Sequence, residues 1–537
     1  MNAKIALAVM LIVASVWIVP AAAQTYPPPT GTGYGGWPTY DDNAADYPVY
    51  PLYPSPFVFY NGTAVTNTTQ WSQRKTELHN ILDYFYRGHA PPASSVSVSL
   101  ASSTDTTIGS ITKRALSLRY TGQYGTLPFF INLFIPHASS GPFANGVPSN
   151  GPYPIILSGE GSWCNLDVGN EPRLRWFANK VMRVWRKWLS RRDRQSVVRP
   201  IISGCGLTSQ SDLETLVDRG YILAEFGRDD FSLDPNGDCT QPINCSNTGA
   251  RTLYPYDDNG VTGYDWGAIQ AWAWGFSRAI DYLMTLSYVD HNHIGVAGIS
   301  RGADAALWAG ANDSRVALTI QDQGGWLECR FNAKAWSNYP YSFYPPINNA
   351  GDFEGIFDRM PIANPGGNGT SGWFNIRIWP FANSADNLDV SAGGCNQLPF
   401  DDPSVDALIA PRAYLSSVDP SGYAMWNQTN DFVADKLIWG AFGATSKIGI
   451  FTTSFGHIMP NGAWAVFLDF ADGVWFNHYV RSAMATAVTV TPGDGCCSPA
   501  DYTAPYYPAA NLPPSTNTWT VPNLSGATAP TVPKPRR

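Results

Sequence analysis

The strongest chemical signal in the sequence is the run Gly298-Ile299-Ser300-Arg301-Gly302. Glycines on both sides suit a tight turn, where neighbouring backbone leaves no room for a Cβ. The strand-like HIGVAG precedes the serine and the helix-forming ADAALWAGA follows it. A strand–sharp turn–helix setting lifts a serine hydroxyl above a sheet, at a helix N-terminus that favours developing negative charge. Ser300 is therefore the candidate nucleophile of an acyl transfer. Such a serine needs a base, and the chain order in this setting is serine, acid, histidine. Two histidines lie downstream. His457 falls in SFGHIMPNG, a loop just after a strand, and is the candidate base. His478 falls in the apolar WFNHYV and reads as a core histidine. Two aspartates compete to hold the imidazole tautomer. Asp419 follows the strand-like Ala413–Ser417, the usual place for the acid, and Asp322 follows Val316–Ile320. Both could equally be turn formers. His291 and His293 have no carboxylate or cysteine at ligand spacing, so they read as loop residues. No metal or other cofactor is expected.

These residues need a sheet to hold them. Tyr153–Leu157 is wholly apolar and Tyr221–Phe226 is apolar but for Glu225; both read as short strands of the kind buried on both faces by helices. Further strands are expected at Ser95–Leu100, Ala115–Tyr120, Phe129–Ile135, His293–Gly298, Val316–Ile320, Ala413–Ser417 and Lys447–Thr452. Helices are expected at Trp71–Gly88, Trp266–Leu286, from the serine to Ala311, and around Val433–Phe442. Alternation of strands and helices predicts an α/β fold with a mostly parallel sheet covered on both sides.

Of 537 residues, 44% are hydrophobic and 14% charged, with a net charge of −8. That composition excludes a disordered chain, a coiled coil and a nucleic-acid-binding tail. The 20 tryptophans suit either sugar faces or a core. Residues 1–23 carry Lys4, an apolar run and Ala21-Ala22-Ala23, the pattern of a signal peptide. A secreted protein that does not span a membrane follows, and its eight cysteines can pair in an oxidising compartment. Cys239 and Cys245 could close a small loop. Sequons at Asn61, Asn67, Asn244, Asn312, Asn368, Asn427 and Asn523 allow glycosylation. Residues 24–60 read as a Tyr/Pro/Gly-rich lead wrapping a core, 61–497 as the catalytic domain, and 498–537 as a disordered, linker-like tail. Residues 173–199 hold ten basic residues and one acid. They read as an inserted surface helix or translated intron rather than a polymer-binding helix.

From about Trp71 to Tyr479 the chain resembles the glucuronoyl esterases, carbohydrate esterase family 15. The resemblance is densest over Asp265–Gly325. It rests on Ala271-Trp272-Ala273-Trp274-Gly275 with Arg278 and Asp281, on the arginine after the serine, and on Ala306 to Ile320. Leu398-Pro399-Phe400-Asp401 and Ala407 to Arg412 complete it. The resemblance implies an α/β-hydrolase three-layer sandwich. It implies that Arg301 brings its backbone N–H and guanidinium to the oxyanion, and that Trp426 stacks on substrate. It also exposes departures. A family lysine resembling a sugar-hydroxyl ligand is Asp304 here. The usual acid falls on Gln323, which cannot stabilise an imidazolium, and some members carry an acid at the position of Asp419. The fungal disulfide across the site would fall on Ile299 and Ile458, so it is absent. A family glutamate has no counterpart before Trp373-Phe374.

The expected reaction is hydrolysis of a glucuronoyl ester joining plant cell-wall xylan to a lignin alcohol, by a monomer. Two rivals stand beside it: an esterase for another polysaccharide ester such as acetate, and a carbohydrate-binding protein on a degenerate hydrolase fold. Gln323 and Asp304 favour the latter, and intact Ser300, Arg301 and His457 oppose it.

Overall fold

The computed structural model describes residues 26–32, 36–48, 53–109, 111–137, 141–160, 210–234, 248–254, 264–324, 373–378, 381, 397–418, 425–452, 463–478 and 519–526. The cysteines and the basic stretch 173–199 lie outside them.

Nine strands form one sheet: β1 Ser97–Ile108, β2 Ile111–Gly122, β3 Gly125–Pro136, β4 Tyr153–Ser158, β5 Ile222–Phe226, β6 Val289–Ile299, β7 Leu318–Asp322, β8 Ala413–Val418 and β9 Ile448–Thr452. The spatial order is β9-β8-β7-β6-β4-β5-β3-β2-β1. From β9 to β5 every neighbouring pair is parallel. The β3, β2 and β1 meander is antiparallel. Helices α1 Thr68–Leu82, α3 Ala268–Leu283, α4 Arg301–Asn312, α5 Asp402–Ile409 and α6 Met425–Ala441 cover one face; α2 Gln210–Asp218 and α7 Ala463–Phe476 cover the other. Ile155 and Leu157 of β4 pack into the first layer and Ile156 into the second. Two apolar faces per strand explain the unbroken apolar runs.

Capping sets the helix ends that matter near the site. Asn67 accepts the Gln70 N–H at 3.0 Å and starts α1. The helix then widens into a π turn, Asp83–Arg87, which stops at Gly88 with φ 80°. A Cβ there would meet the Asp265 carbonyl. Asp401 and Ser404 form a capping box for α5.

Two expectations change. His291 and His293 lie within β6, not in a loop, and His293 Nδ1 is 2.7 Å from Asp290 Oδ2. The tail is not uniformly loose. Trp519 Nε1 donates to the Tyr53 carbonyl at 3.0 Å, its ring meets Phe57, and Leu524 is buried with its N–H on the Ala441 carbonyl. Two apolar anchors in a polar run suffice to seat residues 519–526. The lead buries Tyr26, Tyr40, Tyr47, Tyr53, Phe57 and Tyr60 against the body. Among the described residues, no helix is long and apolar enough to cross a membrane.

Candidate active site

Ser300 closes β6 and opens α4 with φ 56° and ψ −128°. A non-glycine residue there costs on the order of 1–3 kcal/mol, so neighbours must enforce it. The Ser300 N–H donates to the Asp322 carbonyl at 2.9 Å, and the Ser300 carbonyl accepts the Asp304 N–H at 3.1 Å. A Cβ on Gly298 would strike the Gly302 carbonyl, and one on Gly302 would strike the Glu160 carboxylate. The two glycines let strand and helix close tightly enough to hold the serine half-buried at the sheet edge.

The parallel strands all end on that edge. Ile299, Asp322 and Ser417 stand in one register row across β6, β7 and β8. Asp322 is the last residue of β7 rather than a residue beyond it. It is buried, and the Ser417 hydroxyl donates to its Oδ1. Gln323 is buried at φ 51° and donates its N–H to the Ser417 carbonyl at 3.0 Å. Asp419 and His457 lie outside the described residues. So does the side chain of Trp426, whose backbone is in the first turn of α6. The strands leading to Asp419 and His457 do end side by side, with Val418 paired to Thr452. His478 follows α7, whose Trp475 and Phe476 rings pack on His293 in the first half of β6. Ser300 stands at the other end of that strand, so His478 is separated from the serine.

Arginine and carboxylate alternate around the serine. Arg301 Nη1 lies 2.9 Å from Asp234 Oδ2, and its guanidinium sits 5.1 Å from the Trp373 ring centroid. Trp373 Nε1 donates to the other Asp234 oxygen at 2.9 Å. Arg228 contacts Glu160 directly, reaches Asp234 at 3.9 Å, and stacks on Trp272. Burial works against the Arg228 charge, but Glu160, Asp229 and Asp234 outweigh it and raise its pKa. Beneath them Arg87 grips Asp304 through two 2.7 Å bonds, both side chains about 1% exposed. Asp304 is thus committed to an internal ion pair, which separates its role here from that of a sugar ligand. Asp234, Glu160, Arg228 and Trp373 were not singled out from sequence as site residues. Glu160 and Arg228 each follow an apolar strand by a residue or two, and that position was the available signal.

The sheet order, its parallel half and the turn at Ser300 define an α/β-hydrolase. Residues 252–330 match a family model described as glucuronyl esterase, fungi. A carbohydrate esterase from an unknown prokaryotic organism is 23% identical over 487 residues, 87% of this chain and 97% of that relative. A 4-O-methyl-glucuronoyl methylesterase of Podospora anserina is 24% identical over 402 residues; the match covers 73% of this chain and 61% of the relative. A carbohydrate esterase family 15 glucuronoyl esterase from Caldicellulosiruptor kristjansonii shares the fold, with TM-score 0.56 at 22% identity, covering 90% of this chain and 100% of that one. Over these stretches the chain is similar to glucuronoyl esterases, and it shares their fold.

Proposed function

We propose that the chain is a serine esterase that hydrolyses glucuronoyl esters, with 4-O-methyl-glucuronoyl groups of xylan joined to lignin alcohols as substrate. The observation that carries the reading is Ser300 in its strained turn at the sheet edge, with Arg301 next to it. Ser300 Oγ attacks the ester carbonyl carbon while His457 takes its proton. The Arg301 N–H and guanidinium stabilise the oxyanion. The tetrahedral intermediate expels the alcohol, which receives the proton from His457. Water then attacks the acyl-enzyme by the same route and frees the glucuronate. Asp419 is the acid we favour for His457. With residues 1–23 as a signal peptide, the enzyme acts as an extracellular monomer on plant cell-wall polysaccharide.

Steady-state assays on benzyl glucuronate and on an acetylated sugar test this reading. Ser300→Ala should remove benzyl glucuronate turnover with folding intact, since only the nucleophile hydroxyl is lost. Residual turnover within about tenfold of wild type would place the nucleophile elsewhere. Asp419→Asn should lower kcat by as much as ~10⁴ while Asp322→Asn changes it little; the reverse pattern makes Asp322 the acid. The burial of Asp304 against Arg87 favours a second reading, an esterase for a different polysaccharide ester. Preferential cleavage of the acetylated sugar would select it.

A further inference from the structure

We propose that Asp234 is a positioning residue for ester hydrolysis: its carboxylate fixes the Arg301 guanidinium beside the serine. This rests on the reading of Arg301 as the oxyanion partner. An arginine side chain about a quarter exposed would sample many rotamers if left to itself. Three contacts narrow that freedom. Asp234 Oδ2 lies 2.9 Å from Arg301 Nη1. The Trp373 ring lies 5.1 Å from the guanidinium carbon. The same aspartate accepts the Trp373 indole N–H at 2.9 Å through its other oxygen. One carboxylate therefore sets both the ion partner and the aromatic surface against which the guanidinium rests.

The platform beneath Asp234 is itself held. The Trp373 carbonyl accepts the Ile269 N–H at 3.2 Å at the start of α3, and Arg228 flanks Asp234 at 3.9 Å from its place between Glu160 and Trp272. Asp234 is 5% exposed, so little water competes for its oxygens. A guanidinium held before the substrate arrives needs no reorganisation as charge develops on the ester oxygen. The expected signature is a loss in kcat with little change in KM, because the contact matters when the oxyanion forms.

A double-mutant cycle on benzyl glucuronate tests this with four proteins: wild type, Asp234→Asn, Arg301→Ala and the double variant. Asparagine keeps an oxygen to accept the Trp373 N–H and removes the charge. Asp234→Asn should lower kcat about tenfold, less than the 10²–10³ of losing one oxyanion donor outright. Its melting temperature and KM should stay near wild type. In the Arg301→Ala background the same change should cost nothing further, and Asp234→Glu should recover part of the lost kcat. If Asp234→Asn does not fold, the cycle is run with Asp234→Glu, whose displaced carboxylate should give a smaller loss that also vanishes without Arg301. Equal losses with and without Arg301, or no loss at all, overturn the role of Asp234 while the Arg301 reading stands. An unchanged kcat in Arg301→Ala defeats the Arg301 reading and this inference with it.

Discussion

Two regions of the protein bury carboxylates and balance them in opposite ways. Around the candidate site three acids meet guanidinium groups: Asp304 meets Arg87, Glu160 meets Arg228 and Asp265 meets Arg377. Between α5 and α6, Asp402, Asp406, Asp431 and Asp435 converge with Ser416, Gln321 and Tyr414 around a cavity of about 10 Å³, room for one water. There burial, then repulsion among the acids themselves, pushes Asp406, Asp431 and Asp435 well above the ordinary carboxylate range. The site edge neutralises acids with guanidinium groups, whose charge is constant over any working pH. In the acid cluster, burial and mutual repulsion favour the protonated form instead. The comparison teaches that burial alone does not fix the charge of a carboxylate; its neighbours decide whether a cation or a proton accompanies it.

The largest effect should come from breaking a pair on the cation side. Arg87→Met leaves Asp304 charged and enclosed, which should cost about 3–5 kcal/mol in urea denaturation. Arg87→Met with Asp304→Leu should restore most of that, because the orphaned charge is gone.

The acid cluster should answer to pH instead. Its folded-state pKa values are raised, so the native state holds more protons than the unfolded chain above the ordinary carboxylate range. Its stabilising effect is full below ~3.9 and is lost as pH climbs through the raised values. Asp265 runs the other way. Burial alone would raise its pKa, but His89 and Arg377 hold it down at about 2. Its contribution is present above ~3.9 and is lost as pH falls towards 2. Asp435→Asn mimics the protonated acid. It should flatten the fall of melting temperature as pH climbs through the raised values, and above them be worth about 1 kcal/mol relative to wild type. A melting curve that falls with pH as steeply as wild type would remove Asp435 from the proton-holding set.

The smallest effect should come from a pair that is barely buried. Arg114 and Asp105 sit 2.7 Å apart across β1 and β2, with side chains 30% and 48% exposed. Solvent screens them, so Arg114→Ala should change stability by roughly 0–1 kcal/mol, less in high salt. A loss approaching that of Arg87→Met would show that burial is not what separates the two classes of pair.

The same contrast explains what the sequence made legible. The core strands β4 to β9 and the turn at Ser300 were readable because their apolar runs and glycines have a single physical use. The start of α6 was not. The expected helix around Val433–Phe442 begins at Met425, because its first turns bury Asp431 and Asp435 where a helical period looks for apolar residues. β1 was read only as far as Leu100, since Ser102 to Thr107 is polar, exposed and without alternation. Asp304 is only a departure from a family lysine until Arg87, 217 residues away, supplies its partner. Sequence spacing carries no trace of that meeting, nor of the one between Asp234 and Trp373.

The seating of residues 519–526 bears on how the chain could be rewired. Trp519 meets Phe57 and Tyr53, and Tyr26 stacks on Tyr60 at 4.7 Å, so the first and last described stretches both rest on the segment 53–60. Stretches that lie together can be joined by a linker and the chain reopened elsewhere. The turn at Gly109, where a Cβ would touch nothing within 4 Å, is a suitable opening, on the β1–β2 side far along the sheet from Ser300. A circular permutant cut there would keep the order β4 to β9 that frames the candidate site, and would carry its new termini at the β1 end of the sheet.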